Sequence, residues 1–344
     1  MEQHLLSEGP LLDEEGNLCE AGYAFSLVKK YDRSAIKAPS LRIKEWDYYY
    51  IGNKNYGVAL TIDDNSYMDL CCVSLMDFTK KTVLENSVVH LWSKGKRGLP
   101  ASSEAGDALY IDKKVEMRFL HEGEKRHLYC SWKDFDKKGN DLRIDVLLLR
   151  STSKAMVIAT PFKKKGQFYY NEKINDLISA GYAKLGDFFI DLNKDSYGVL
   201  DWGRGVWAYR NTWYWSSLSA MNDGQLVGWN LGYGFGDTSA ASENMLFVDK
   251  DAYKLDDVKF DIPMDKRGRD AYMGVWDFRS KNGDIALKFT PILERNGGGN
   301  ALLVRSIQHQ VFGTFNGIIR LPDSTKAITF VDVVGFAEKV YNRW

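Results

Sequence analysis

The chain has 344 residues, 44 % of them hydrophobic and 27 % charged, enough to bury a sizeable core as two ordinary domains or one large β-structure. Its 46 Lys and Arg balance 46 Asp and Glu, and a formal net charge of zero argues against a nucleic-acid binder, a local patch aside. No stretch has the apolar length that a membrane-spanning helix needs.

The first residues, MEQHLLSEGPLLDEEGNLCEAG, lack a basic region followed by an apolar run, so the expected location is the cytoplasm, with reduced thiols. Residues 1–20 read as an N-terminal extension, followed by a β-barrel-like domain over 21–160. The segment LRIKEWDYYYI, from Leu41, reads as a strand with Glu45, Asp47 and Tyr49 on one face and Trp46, Tyr48 and Tyr50 on the other. Glu45 and Trp46 are secondary site candidates, although a solvent-facing acidic row is the plainer reading. YGVALTI and LCCVSLMDF follow as strands, and the adjacent Cys71 and Cys72 should then point to opposite faces. VEMRFL, HLYCSW, LRIDVLLL and AMVIATPF continue the series, separated by turn signals such as KKGN.

PFKKKGQFYYNEK reads as a linker, opening a second β-barrel-like domain over 161–344 that carries the main site. Asn171–Gly186 is the best helical candidate, with Ile174, Leu177 and Ile178 on one face and Asn171 as its cap. Few other helices are expected. The fold class is mainly β, two antiparallel barrel or sandwich units. A weak internal repeat supports two units: EWDYYYI, YGVALTI and LCCVSLMD in the first half match TWYWSSLS, LVGWNLGYG and ENMLFVD in the second.

The richest stretch is YGVLDWGRGVWAYRNTWYWSSLSA, from Tyr197, which holds four of the ten tryptophans. In a strand, Trp207, Tyr209, Asn211, Trp213 and Trp215 share a face, an aromatic row with one embedded amide. Such a row is either an aromatic plug between units or the wall of a cavity. Asp201, Trp202 and Arg204 precede it among glycines. Asp201 and Arg204 could pair across a turn as a structural ion pair, or supply charge to a polar-ligand site. Downstream, GWNLGYGFGDTSAASENMLFVD alternates Gly232, Gly234 and Gly236 with larger residues, which strips one strand face and permits close approach. It does not match a phosphate-binding fingerprint. Asn230, Asp237, Glu243 and Asn244 add amides and carboxylates facing the tryptophan row. Scattered histidines and cysteines without ligand spacing point to no metal site, and no cofactor motif is present.

RIKEWDYYYI, GVLDWGRGVWAYRNTWYWSSLSA, NLGYGFGDTSAASENMLFVD and the terminal GFAEKVYNRW resemble the bacterial domain-of-unknown-function family 2804 over essentially the whole chain. That family carries no activity to transfer. More distantly, the chain is similar to the lipocalin-like group that includes carotenoid 1,2-hydratase and tocopherol cyclase. That resemblance implies two barrel-like units with a cavity, and no catalytic residues one for one.

Three functions fit. The first is a cavity enzyme on a lipophilic or terpenoid-like ligand, with Asp201 or Glu243 as acid and Trp202, Trp213 and Trp215 stabilising a cation. The second is a glycoside hydrolase with paired carboxylates. The third is a non-catalytic lipocalin-like carrier. The expected partner in each is a small molecule, bound by Trp202, Arg204, Trp207, Asn211, Trp213, Trp215, Asn230, Asp237 and Asn244.

Overall fold

A computed structural model describes residues 3–301, 304–322 and 324–343. The opening segment contributes β1 (Gly9–Pro10), β2 (Gly22–Ala24) and β3 (Lys29–Lys30), then short 3-10 turns at Arg33–Ala35 and Ser40–Arg42. An antiparallel meander follows: β4 (Ile43–Gly52), β5 (Tyr56–Asp64), β6 (Met68–Asp77) and β7 (Thr82–Leu91). A second meander comprises β8 (Ala108–Ile111), β9 (Val115–Glu122), β10 (Lys125–Trp132) and β11 (Leu142–Leu149). β12 (Met156–Pro161) turns into the long β13 (Phe168–Leu185), succeeded by β14 (Phe188–Asp191) and β15 (Tyr197–Val206). β13 pairs with β11, and β15 lies between β13 and β4, so the two meanders become one curled sheet.

The second sheet starts at β16 (Arg210–Asn222) and continues through β17 (Gln225–Tyr233), β18 (Met245–Val248) and β19 (Asp251–Lys254). β20 (Val258–Asp261), β21 (Trp276–Ser280), β22 (Ile285–Ala301), β23 (Val304–Arg320) and β24 (Ala327–Arg343) complete it, with β24 hydrogen-bonded to β16. Turn chemistry sets the hairpins. Between β16 and β17, Asp223 and Gly224 both have positive φ (49° and 80°), the pair of left-handed residues that a two-residue hairpin requires.

The expected two antiparallel β units are therefore present, each wrapped round its own core. Alternation fills them: Leu142, Ile144, Val146 and Leu148 point inward from β11 while their neighbours face outward. The first core also takes Leu128, Cys130 and Trp202; the second holds Trp229, Trp276, Phe289 and Phe315. Two further clusters lie between the sheets. One packs Tyr48 and Tyr50 against Trp215, Phe312 and Phe336, and the other packs Tyr169 and Trp207 against Phe235 and Met245.

Two local expectations are corrected. Asn171–Gly186 is not a helix but most of β13. A bulge shifts the register between Ile174 and Leu177, with Asp176 in the left-handed region (φ 58°). The extra residue lets Ile174 and Leu177, three apart, both reach the first core, which imitates helical spacing; Ile178 is 44 % exposed. The basic segment PFKKKGQFYYNEK does not link the sheets either, because it forms the β12–β13 hairpin inside the first one. The chain changes sheet between Val206 and Arg210. Cys71 and Cys72 do point oppositely: Cys71 joins the first core, and Cys72 Sγ lies 4.0 Å from Arg295 Nη2 of the second sheet.

Candidate functional site

β15 divides the predicted residues by parity. Leu200, Trp202 and Arg204 point into the first core side, whereas Val199, Asp201 and Gly203 face the second sheet. On the flanking strands the same outward face carries Trp46, Tyr48 and Tyr50 from β4 and Tyr169, Asn171 and Lys173 from β13. Gly203 is required there, since a Cβ would overlap the Trp46 indole lying across it. That indole stacks on Tyr169, with centroids 5.7 Å apart and planes at 16°.

Asp201 anchors this face. Its Oδ1 accepts from Lys173 Nζ at 2.9 Å and from Asn171 Nδ2 at 2.6 Å, and 11 % of its side chain stays accessible. Lys173 Nζ also sits 4.2 Å from the centre of the Trp215 ring, a cation over an aromatic face.

The second sheet supplies the facing wall. Trp213 and Trp215 project from β16, Asn230 from β17, Glu243 from the segment before β18, and Glu338 from β24. Asn230 is a clamp: its Oδ1 accepts from Trp215 Nε1 at 2.6 Å, and its Nδ2 donates to the Glu243 carbonyl at 2.6 Å and to Glu243 Oε2 at 3.3 Å. Gly232 leaves the space that Glu243 Oε1 occupies, so the stripped strand face admits a carboxylate. Glu338 accepts from Trp213 Nε1 at 2.9 Å and from Gln308 and Gln310 at 3.1 and 3.2 Å. Gln310 in turn donates to the Tyr48 hydroxyl.

Burial raises the Glu243 carboxyl above the ordinary glutamate value, against the opposing pull of Lys173 and Asn230. Burial raises Glu338 likewise, opposed by its bonds from Trp213 and Gln308. Tyr169 lies among them. Burial, then the charges of Asp201, Glu243 and Glu338, push its hydroxyl well above the usual tyrosine value. Among the described residues no hydrogen bond engages the Tyr169 hydroxyl, Asp201 Oδ2 or Glu243 Oε1. These three oxygens lie in the packed layer that holds Trp46, Tyr48, Trp213 and Trp215.

A sequence profile for a domain of unknown function, number 2804, matches residues 2–344. The chain belongs to family 2804. No functionally curated protein matches its sequence. Among solved structures, this family 2804 chain is similar to a protein of Nitrosomonas europaea described as an AttH, with a TM-score of 0.55 at 12 % identity, over 96 % of this chain and 98 % of that one. It is also similar to kievitone hydratase of Nectria haematococca, with a TM-score of 0.51 at 12 % identity, over 91 % of this chain and 96 % of that one. The likeness to these two structures is one of fold.

The packed inter-sheet layer, or chamber, of this family 2804 chain brings together Asp201, Glu243, Trp213, Trp215, Asn230 and Trp46, with Trp207 against the Trp46 edge at 4.5 Å. Other expected residues fall elsewhere. Trp202 is fully buried in the first core, edge-on to Tyr31 and Tyr170. Arg204 does not pair with Asp201, because consecutive parity puts them on opposite faces; it pairs with Asp47 at 2.9 Å and stacks on Trp202. Glu45 is buried there too, bonded to Arg33 and accepting from the Tyr31 hydroxyl at 2.7 Å, so its row does not face solvent. Asn211 donates to the Ala208 carbonyl in the crossover. Asn244 ties β17 to the segment after β19, accepting from Gly232 N and donating to the Asp256 carbonyl. Asp237 is exposed, its carboxyl held below the ordinary value by the Ser239 amide.

Lys173, Tyr169, Asn171 and Glu338 were not anticipated. The alternation in FYYNEK carried the signal for the first three once that segment is read as a strand. Glu338 reads in sequence as one of a Glu–Lys pair on a strand, which offers no cue that it is the buried member.

Proposed function

We propose that this protein is an acid–base enzyme that adds water to, removes it from, or cyclises a lipophilic small molecule held between the two sheets. The observation that carries the reading is Glu243, a buried carboxyl raised by loss of water and held by Asn230 beside Asp201, which Lys173 and Asn171 anchor. Glu243 protonates a double bond of the ligand. The Trp213 and Trp215 faces stabilise the cation so formed, and Asp201 takes the proton from the attacking water. The Tyr169 hydroxyl orients the ligand as a hydrogen-bond donor. The shared fold with a protein named as a hydratase supports this reading. The chemistry draws on no cofactor.

The amides of Asn171 and Asn230 beside Asp201 and Glu243 favour a second reading, glycoside hydrolysis by two carboxylates. Thermal stability against an isoprenoid and polyaromatic panel and a sugar panel separates the two, because a ligand of the native state raises the melting temperature. Any stabilising compound is then assayed for turnover. Glu243→Gln is expected to keep binding and lose about 100-fold or more in turnover. Unchanged turnover in that variant would overturn the acid assignment, and stabilisation by sugars alone would favour the second reading.

A further inference from the structure

A cleft of about 580 Å³ opens between the two sheets beyond the chamber, at the end where β4 turns into β5 and β16 turns into β17. Small-molecule sites are typically ~300–1,000 Å³. Its floor is Tyr50, Val199 and Phe336, with Tyr50 and Phe336 edge to face at 5.4 Å.

Register links this floor to the chamber. Each of four strands gives one residue to the cleft and, two positions along on the same face, one to the chamber: Tyr50 and Tyr48, Val199 and Asp201, Phe336 and Glu338, Ser217 and Trp215. Two positions on a strand span about 7 Å. A ligand resting on the floor is therefore one side-chain layer from the carboxylates. Phe336 is that layer, since its ring meets Trp215 at 4.8 Å on the far side.

The mouth describes what it admits. Lys54 and Lys194 stand among Asp195, Asp223 and Asp332, so neither sign of charge dominates. Ser219 Oγ on the wall accepts from the Asp176 amide and donates to the Asp176 carboxyl, whereas Ser217 Oγ accepts from Asn175 Nδ2 at 2.9 Å, which leaves the Ser217 hydroxyl hydrogen to donate.

We propose that the cleft is the outer half of the ligand site, holding the neutral, hydroxyl-bearing end of an amphiphile whose apolar end lies on the Tyr50–Phe336 floor and points at the chamber. Its direction rests on the chamber being the reactive site; its occupancy does not.

The test uses the full chain and the uncharged fluorescent dye N-phenyl-1-naphthylamine, displaced by three amphiphiles with one octyl chain, each below its micelle concentration. Octyl glucoside should displace the dye at least about five-fold more tightly than octyl sulfate or octyltrimethylammonium. Ser219→Trp, which fills the cleft, should weaken dye and glucoside binding by about ten-fold. Met221→Trp at the exposed rim does the same should Ser219→Trp misfold. Equal or tighter binding of a charged amphiphile, or dye binding untouched by both variants, overturns the proposal. Glu243→Gln separates the two readings, because it should leave this binding intact whatever it does to turnover.

Discussion

The Asp201–Lys173 pair is almost dry, and a charge so placed is tolerable only while both partners remain. Lys173→Met should therefore cost about 3–5 kcal/mol, read as a lower urea midpoint. Asp201→Asn with Lys173→Met should regain much of that, because no lone charge is left behind. Gly203 makes a separate point at the same scale. Gly203→Ala sets a methyl against the Trp46 indole, and a loss of about 1–3 kcal/mol with a shifted tryptophan emission is expected. The chamber was half legible at this scale. Asp201, Trp213, Trp215, Asn230 and Glu243 stand out by residue type and density. Trp202 and Arg204 were misplaced because the glycines of LDWGRG suggest a turn, where the real constraint was strand parity. Lys173 was hidden because its segment reads as a helix, and Glu338 reaches the chamber only through pairings with distant strands, which nothing local encodes.

β13 shows how one element can carry two signals. Its bulge gives apolar residues a helical spacing, so periodicity misled where β-branched and aromatic content did not. The bulge also buries Asp176, whose carboxyl is pushed up to about 8 by loss of water and, less, by Asp249. The native state then binds a proton that the unfolded chain releases near pH 4. This group's contribution is most favourable below that pH and is lost as pH rises toward 8. Asp176→Asn keeps the shape and tolerates the left-handed backbone. It should be more stable than wild type by at least about 2 kcal/mol at pH 8.5 and equal to it at pH 4, as denaturant titrations at the two values would read. A gain of the same size at both would assign the effect to packing.

Over the whole molecule, each sheet has its own core, yet Trp215, Phe336 and Tyr50 belong to a third that neither sheet completes alone. Unfolding should accordingly be a single transition, with tryptophan emission and far-ultraviolet circular dichroism sharing one midpoint. Trp215→Ala should lower both together, by about 3–5 kcal/mol; two separated midpoints would show that the sheets melt independently. The two-unit β architecture was readable from short strands and turn residues. Where one sheet ends and the next begins was not, because it depends on β15 returning to pair with β4.

That return has a consequence for synthesis. β4 leaves the ribosome early, while its partner along the inner edge, β15, is made only after the ten strands β5 to β14 have emerged. Until then IKEWDYYYIG is an open border with unpaired amides and three tyrosines, the kind of edge that recruits another chain. The nascent protein is most exposed to aggregation in that interval, and its need for a chaperone should end when Val206 clears the tunnel.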